Sequence, residues 1–269
     1  MSNPPNSRPA ITETGTAAAM SCDVRLADGD VWALAEEVPV AIVYNRRNHA
    51  VMLATPADLT DFAIGFSLSE GIIRDPSEIE AVEIVHQTIG VNLHITLNPE
   101  RLERFDLVSR RRNLPGRAGC GLCGLENVES LTAPLEPVVD THIEPNPEAL
   151  ARALDELSHW QPLNVTTRSV HAAAWADLSG QIIAAREDVG RHNALDKLIG
   201  ANAVTGRAPA DGFLIMSSRC SYELVEKAAR AGLPAIASLS APTAFAVRKA
   251  TEARISLYAR KGNAFVRVT

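Results

Sequence analysis

The sequence predicts an α/β protein. Strand-like and helix-like segments alternate from about residue 165 to the end, and such alternation implies a sheet with helices packed on its faces. The N-terminal half mixes short β runs with a few helices. Apolar residues are 46% of the 269 positions, enough for a real core, and aromatics are 4%, so that core is Ala, Val, Leu and Ile.

The first 20 residues are polar and rich in Pro, Ser and Thr, and are expected to be a disordered tail. Val24–Leu26, Pro39–Tyr44 and Ala50–Thr55 are apolar runs broken by polar turns, and read as strands. A helix follows: Thr55 can cap it, Pro56 suits its first position and Asp58 its first turn. Leu59, Phe62, Ala63 and Phe66 give it one apolar face, and Gly71 ends it. Val82–Val85 and Val91–Leu97 form a hairpin, the second arm alternating apolar and polar. A helix starts at Asn98-Pro99. Residues 108–124 are basic and glycine-rich, and read as a long mobile loop. Asn146-Pro147 opens a helix with Leu150, Leu154 and Leu157 on one face. Then come strands Val170–Ala176 and Gln181–Arg186, helix Arg191–Ile199, strand Gly212–Ser217, helix Tyr222–Ala231 ended by Gly232, strand Pro234–Leu239, helix Thr243–Ala253 and a last hairpin, Ile255–Tyr258 with Ala264–Val268. The expected organisation is the tail, a smaller α+β domain over 21–145 carrying the loop, and an α/β domain over 146–269.

The formal net charge of −6 disfavours a protein that wraps nucleic acid. No apolar run approaches the roughly 18 residues of a membrane span. Four cysteines are too few for a disulfide scaffold, and no secretory signal opens the chain, so a cytoplasmic setting is expected.

Cys120-Gly121-Leu122-Cys123-Gly124 brings two sulfurs to one point. That suits zinc, an iron–sulfur cluster, dithiol redox chemistry or a nucleophilic thiol. A structural zinc site wants four ligands, and no second pair is present. A zinc deaminase places H-x-E before P-C-x-x-C; here His142-Ile143-Glu144 follows the cysteines and Gly119 precedes Cys120. A thioredoxin-type pair sits just after a strand, which this one does not. A thiolate on a loop fits better. Residues 101–117 hold six arginines (Arg101, Arg104, Arg110, Arg111, Arg112 and Arg117) against Glu103 and Asp106, and cations favour thiolate.

Glu187–Lys197, EDVGRHNALDK, is dense in functional groups at a strand-to-helix junction. Free N–H groups there bind anions; Gly190 allows close approach and Arg191, His192 and Asn193 add donors. Ser217–Ser221 and Ser238–Thr243 mark the next two junctions. Ligands of α/β sheets bind at carboxyl ends of strands, so the three point to one pocket for a phosphate-bearing ligand. Helix capping explains the Ser and Asp but not the run Arg191-His192-Asn193. His171 either faces the same pocket or is a strand histidine.

These segments resemble the FdhD family, the formate dehydrogenase accessory sulfurtransferases. The resemblance rests on Phe62–Ile73 (FAIGFSLSEGII), Gly119–Gly124 (GCGLCG), Glu187–Lys197, Arg219–Pro234 (RCSYELVEKAARAGLP) and Ser240–Val247 (SAPTAFAV), in that order. It implies a cytidine deaminase-like three-layer α/β/α domain with a smaller N-terminal domain. It implies a persulfide on Cys120, taken from a cysteine desulfurase, with Cys123 assisting. The sulfur goes to the molybdenum cofactor, bis-molybdopterin guanine dinucleotide, bound as cargo and destined for formate dehydrogenase, with no resident metal. The guanine-nucleotide stretch implied by the family falls on Leu257, Tyr258, Ala259, Arg260, Lys261 and Gly262, with Arg191, His192, Asn193, Ser217 and Arg219 as further candidates. A homodimer is the expectation for such a domain. The family pattern expects a Thr-Gly-Gly-like stretch where this chain has Thr166-Thr167-Arg168. A cofactor-holding chaperone without transfer chemistry and a zinc-dependent nucleotide deaminase are the alternatives.

Overall fold

A computed structural model describes residues 8–109, 133–139 and 143–269. The N-terminal sheet contains β1 (Ala10–Thr14), β4 (Val38–Tyr44), β5 (Arg47–Ala54), β6 (Ile79–Gln87) and β7 (Gly90–Leu97) in the order β1-β6-β7-β4-β5. A separate ribbon pairs β2 (Ser21–Arg25) with β3 (Val31–Ala35). In β7 the predicted alternation holds: Val91, Leu93, Ile95 and Leu97 are buried and their neighbours are not. Residues 10–14 differ from the expected tail. They pair in parallel with β6, so the sheet edge supplies hydrogen bonds that this exposed strand's composition did not advertise.

Helix α1 (Leu59–Ser69) buries the expected Leu59, Phe62, Ala63 and Phe66, but also Ile64, Gly65, Ser67 and Ser69. Thr55 does not cap it. Asp58 is the N-cap residue, in the left-handed region and without a side-chain cap bond, while Thr55 bonds across to the other half of the molecule. Helix α2 (Pro99–Ser109) follows.

The C-terminal half begins with α3 (Pro147–Leu157), capped by the Asn146 side chain on the Ala149 N–H, and α4 (Pro162–Thr167). Its sheet has β8 (His171–Asp177), β9 (Ile182–Asp188), β10 (Gly212–Met216), β11 (Ala235–Ser238), β12 (Ser256–Lys261) and β13 (Ala264–Arg267), ordered β13-β12-β11-β10-β8-β9. Helices α5 (Arg191–Thr205), α6 (Tyr222–Arg230) and α7 (Ala244–Glu252) cover one face, with Trp175, Leu214, Met216, Ile236 and Leu257 beneath them. Helix α3 covers the other, over Ala174, Ala176, Phe213 and Ile215.

The two halves meet along α1 and α5. A Cβ on Gly65 would stand 1.7 Å from the Asp196 carbonyl oxygen, and one on Gly200 2.0 Å from that of Asp61. The two backbones are in direct contact, which explains why both helices are buried nearly all round.

Helix α4 ends on Arg168, which has φ 59° and ψ 21°. This is the left-handed region, costly for a residue with a Cβ. It coincides with the stretch where the family pattern expects glycine. Arg168→Gly should therefore stabilise the chain by about 0.5–1 kcal/mol in urea unfolding.

Candidate functional site

Strands β10, β11 and β12 are mutually parallel, and β8 runs against both β9 and β10. The carboxyl ends of β9, β10, β11 and β12 and the start of β8 therefore lie on one edge. The three polar junctions of the sequence converge there. The Ser217 N–H donates to the Ala172 carbonyl (3.0 Å), and the Ser217 hydroxyl accepts from the Ala172 N–H (2.8 Å). The Ser238 hydroxyl donates to the Ser218 and Ser240 carbonyls, at 2.7 and 2.8 Å. The Thr243 N–H donates to the Cys220 carbonyl and the Thr243 hydroxyl caps α7. These bonds tie the loops into one platform.

Most of the dense 187–197 cluster serves the fold. Glu187 accepts from the Leu163 and Asn164 N–H groups at the start of α4, and burial outweighs those bonds to push its carboxyl above the usual range. Asp188 is wholly buried. It accepts from the N–H groups of Thr55 and Gly190 and from the Asn193 amide, and pairs with the Lys197 ammonium at 2.7 Å. Lys197 also donates to the Thr55 carbonyl. Asp196 pairs with Lys227, which reaches Ser69 at the end of α1 and Glu70 just beyond it. Internal packing by itself accounts for Gly190: a Cβ would stand 2.8 Å from the Asn193 amide nitrogen. Asn193 is 3% exposed with its amide committed to Leu53 and Asp188, so its donors face the interior.

Arg191, His192, His171 and Arg219 remain. Arg219 is exposed, without a polar partner among the described residues. Among the described residues, the Nε of Arg191, the Nε2 of His192 and the Oγ of Ser221 are buried with no partner at hydrogen-bonding distance, the last two facing the Glu223 carboxylate from slightly farther off. Neither N-cap residue, Gly190 of α5 or Ser221 of α6, makes a side-chain cap bond, so the starts of both helices open on this edge, with the Glu223 carboxylate at the second. Glu223 lies in the first turn of α6, its carboxylate 3.9 Å from His192 Nε2. The His192 ring, then the Ser221 hydroxyl and the backbone N–H of Glu223 itself, hold the Glu223 carboxyl down to about 2.

His171, half-buried at the start of β8, is held below the usual histidine range, by burial first and then by Arg191 and His192. A bound anion offsets that repulsion and raises the histidine, so binding takes up a proton. Sulfate, whose charge is constant here, should therefore bind more tightly as pH falls from 7.5 toward 5.5, and His171→Asn should flatten that profile. The sign for stability is the reverse. A histidine depressed in the folded state binds protons more readily when unfolded, so stability falls as pH drops below about 6.5.

The C-terminal stretch divides. Leu257, Tyr258 and Ala259 are buried in β12, which takes their side chains into the sheet. Arg260, Lys261 and Gly262 are exposed. Arg101 is not an open cation: 8% exposed, it donates to the Ile72 and Gly71 carbonyls at the end of α1. Arg104 pairs with Glu100. Cys120, Cys123 and Arg110, Arg111, Arg112 and Arg117 lie outside the described residues. Two hollows elsewhere, one beside Asp58 and Asp61 and one beside Arg74 and Arg207, touch none of the candidate catalytic or cofactor-binding residues.

A family model described as the FdhD/NarQ family matches residues 35–266. The chain belongs to the FdhD/NarQ family. The match spans the C-terminal sheet, the strand-end edge and the segment that holds Cys120 and Cys123. A Xanthomonas campestris pv. campestris (strain B100) protein named Sulfur carrier protein FdhD is 49% identical over 224 residues, 83% of this chain and 79% of its own. A protein of the same name from Bordetella bronchiseptica is 46% identical, over 83% of this chain and 80% of its own. A crystal structure of a protein named as a formate dehydrogenase accessory protein, from Desulfotalea psychrophila, superposes with a TM-score of 0.68 at 24% identity, covering 93% of this chain and 95% of that one. It shares the fold. Among the described residues, no helix is long and apolar enough to cross a membrane.

The sequence had marked Asp188, Asp196 and Lys197 as parts of a site, yet they hold the two halves together. Glu223 stood in a quoted segment without being singled out. Its one signal was an acidic residue in the first turn beside the Ser217–Ser221 junction.

Proposed function

We propose that this FdhD/NarQ family member is a cytoplasmic sulfur carrier serving formate dehydrogenase. The observation that carries the proposal is the Cys120-x-x-Cys123 pair in a chain whose relatives are named sulfur carriers over 83% of its length. A Cys120 thiolate attacks the outer sulfur of a persulfide on a cysteine desulfurase. One S–S bond forms as another breaks, and the desulfurase cysteine leaves as thiolate, so no external oxidant or reductant is needed. Cys123 assists the onward transfer to the molybdenum cofactor, bis-molybdopterin guanine dinucleotide, before that cargo enters formate dehydrogenase.

The strand-end edge suits such a cargo. Two open helix starts with Arg191, His192 and His171 favour phosphate groups. Arg219, Arg260 and Lys261 are exposed cations for the rest of a polyanion. Ser217 contributes a hydroxyl whose proton is free to donate, because the oxygen already accepts from Ala172. The C-terminal sheet, with β8 antiparallel to its neighbours and helices on both faces, is read here as the cytidine deaminase-like domain.

Cells whose only copy carries Cys120→Ala should show formate dehydrogenase activity no higher than cells lacking the protein. Activity equal to wild type refutes the proposal.

A further inference from the structure

The starts of α5 and α6 share one edge, and neither is closed by a side-chain bond. Arg191 and His192 stand at the first, Ser221 and Glu223 at the second. Among the described residues three polar atoms there have no partner at hydrogen-bonding distance, and Ser221 is only 7% exposed. A buried donor without an acceptor is costly, and three beside two helix starts call for an anion. One anion is already present. The Glu223 carboxylate is 3.9 Å from His192 Nε2, longer than a good hydrogen bond, and it faces the Ser221 hydroxyl as well. Its side chain is 17% exposed, so it borders solvent and has room to turn outward.

We propose that Glu223 is a built-in counter-anion of this edge: it balances the two helix starts while the edge is empty and is displaced by the anion that fills it. The proposal rests on the anion-binding role of the edge and adds a specificity role for Glu223. An incoming anion must first replace the contact between Glu223 and His192. A small anion gains little beyond what that carboxylate supplies. A diphosphate carries two charged groups, one for each helix start, so it displaces Glu223 where sulfate does not do so readily. Glu223 thus sets the edge to prefer polyanions.

Calorimetric titration of the full chain with inorganic pyrophosphate at pH 7.5 tests this, comparing wild type with Glu223→Gln. Removing a like charge this close should tighten binding at least about tenfold. Sulfate binding should gain more, so the preference for pyrophosphate over sulfate narrows. Arg191→Ala should weaken both. Pyrophosphate binding that is unchanged or weaker in Glu223→Gln, with wild type still binding, overturns the counter-anion and leaves the anion edge standing. No binding by either folded protein overturns the edge itself. Thermal melts report whether Glu223→Gln is folded; if it is not, Glu223→Ala serves in its place with the same expected gain.

Discussion

Asp188→Asn should cost about 3–5 kcal/mol of stability, measured as a lower urea midpoint at pH 7. Asp188 is the acceptor around which the two halves meet. It takes N–H groups from Thr55 and Gly190, the Asn193 amide and the Lys197 ammonium, all away from water. An asparagine supplies one acceptor oxygen and turns its NH2 against another donor. It also leaves the fully buried Lys197 with only the Thr55 carbonyl. Lys197→Met should cost less, about 1–3 kcal/mol, because the carboxylate keeps three N–H donors. The order is the test: a methionine variant less stable than the asparagine variant contradicts this account of the cluster.

Gly65→Leu should prevent the two halves from closing at all, and Gly65→Ala or Gly200→Ala should each destabilise by about 3 kcal/mol or more. Neither glycine is needed for its backbone angles. Both are needed for space, since a Cβ would overlap the backbone of the facing helix. Backbone cannot turn aside as a long side chain can, so α1 and α5 must separate. Separation also pulls Lys227 away from Glu70, Ser69 away from Asp196, and Arg186 away from Asp61. Melting of these variants by circular dichroism reads the effect. A melting temperature within a degree or two of wild type contradicts the close approach.

Local chemistry was legible in the sequence wherever one segment decided the outcome. The β6–β7 hairpin, the Asn146 cap of α3 and the alternating C-terminal half all follow from periodicity and capping residues. The convergence of three junctions on one edge also follows, because parallel strands put their carboxyl ends together. Pairings across the chain were not legible. Thr55 reads as a helix cap but bonds to residues more than 130 positions away. Arg101 reads as one of the cations that favour a nearby thiolate but binds the carbonyls that end α1. A buried cation and an exposed one look alike in sequence; only the fold shows that Lys197 and Asp188 have each other. The stretch from Leu257 to Gly262 was read as one binding segment, whereas a strand buries its first half and presents its second.

The central claim is that Cys120 carries sulfur. Intact-mass spectrometry after incubation with a cysteine desulfurase and cysteine tests it most directly. The account predicts a gain of one sulfur atom, removed by reductant and absent in Cys120→Ala. An unchanged mass in the wild-type chain, under conditions where the desulfurase itself is charged with sulfur, would contradict it.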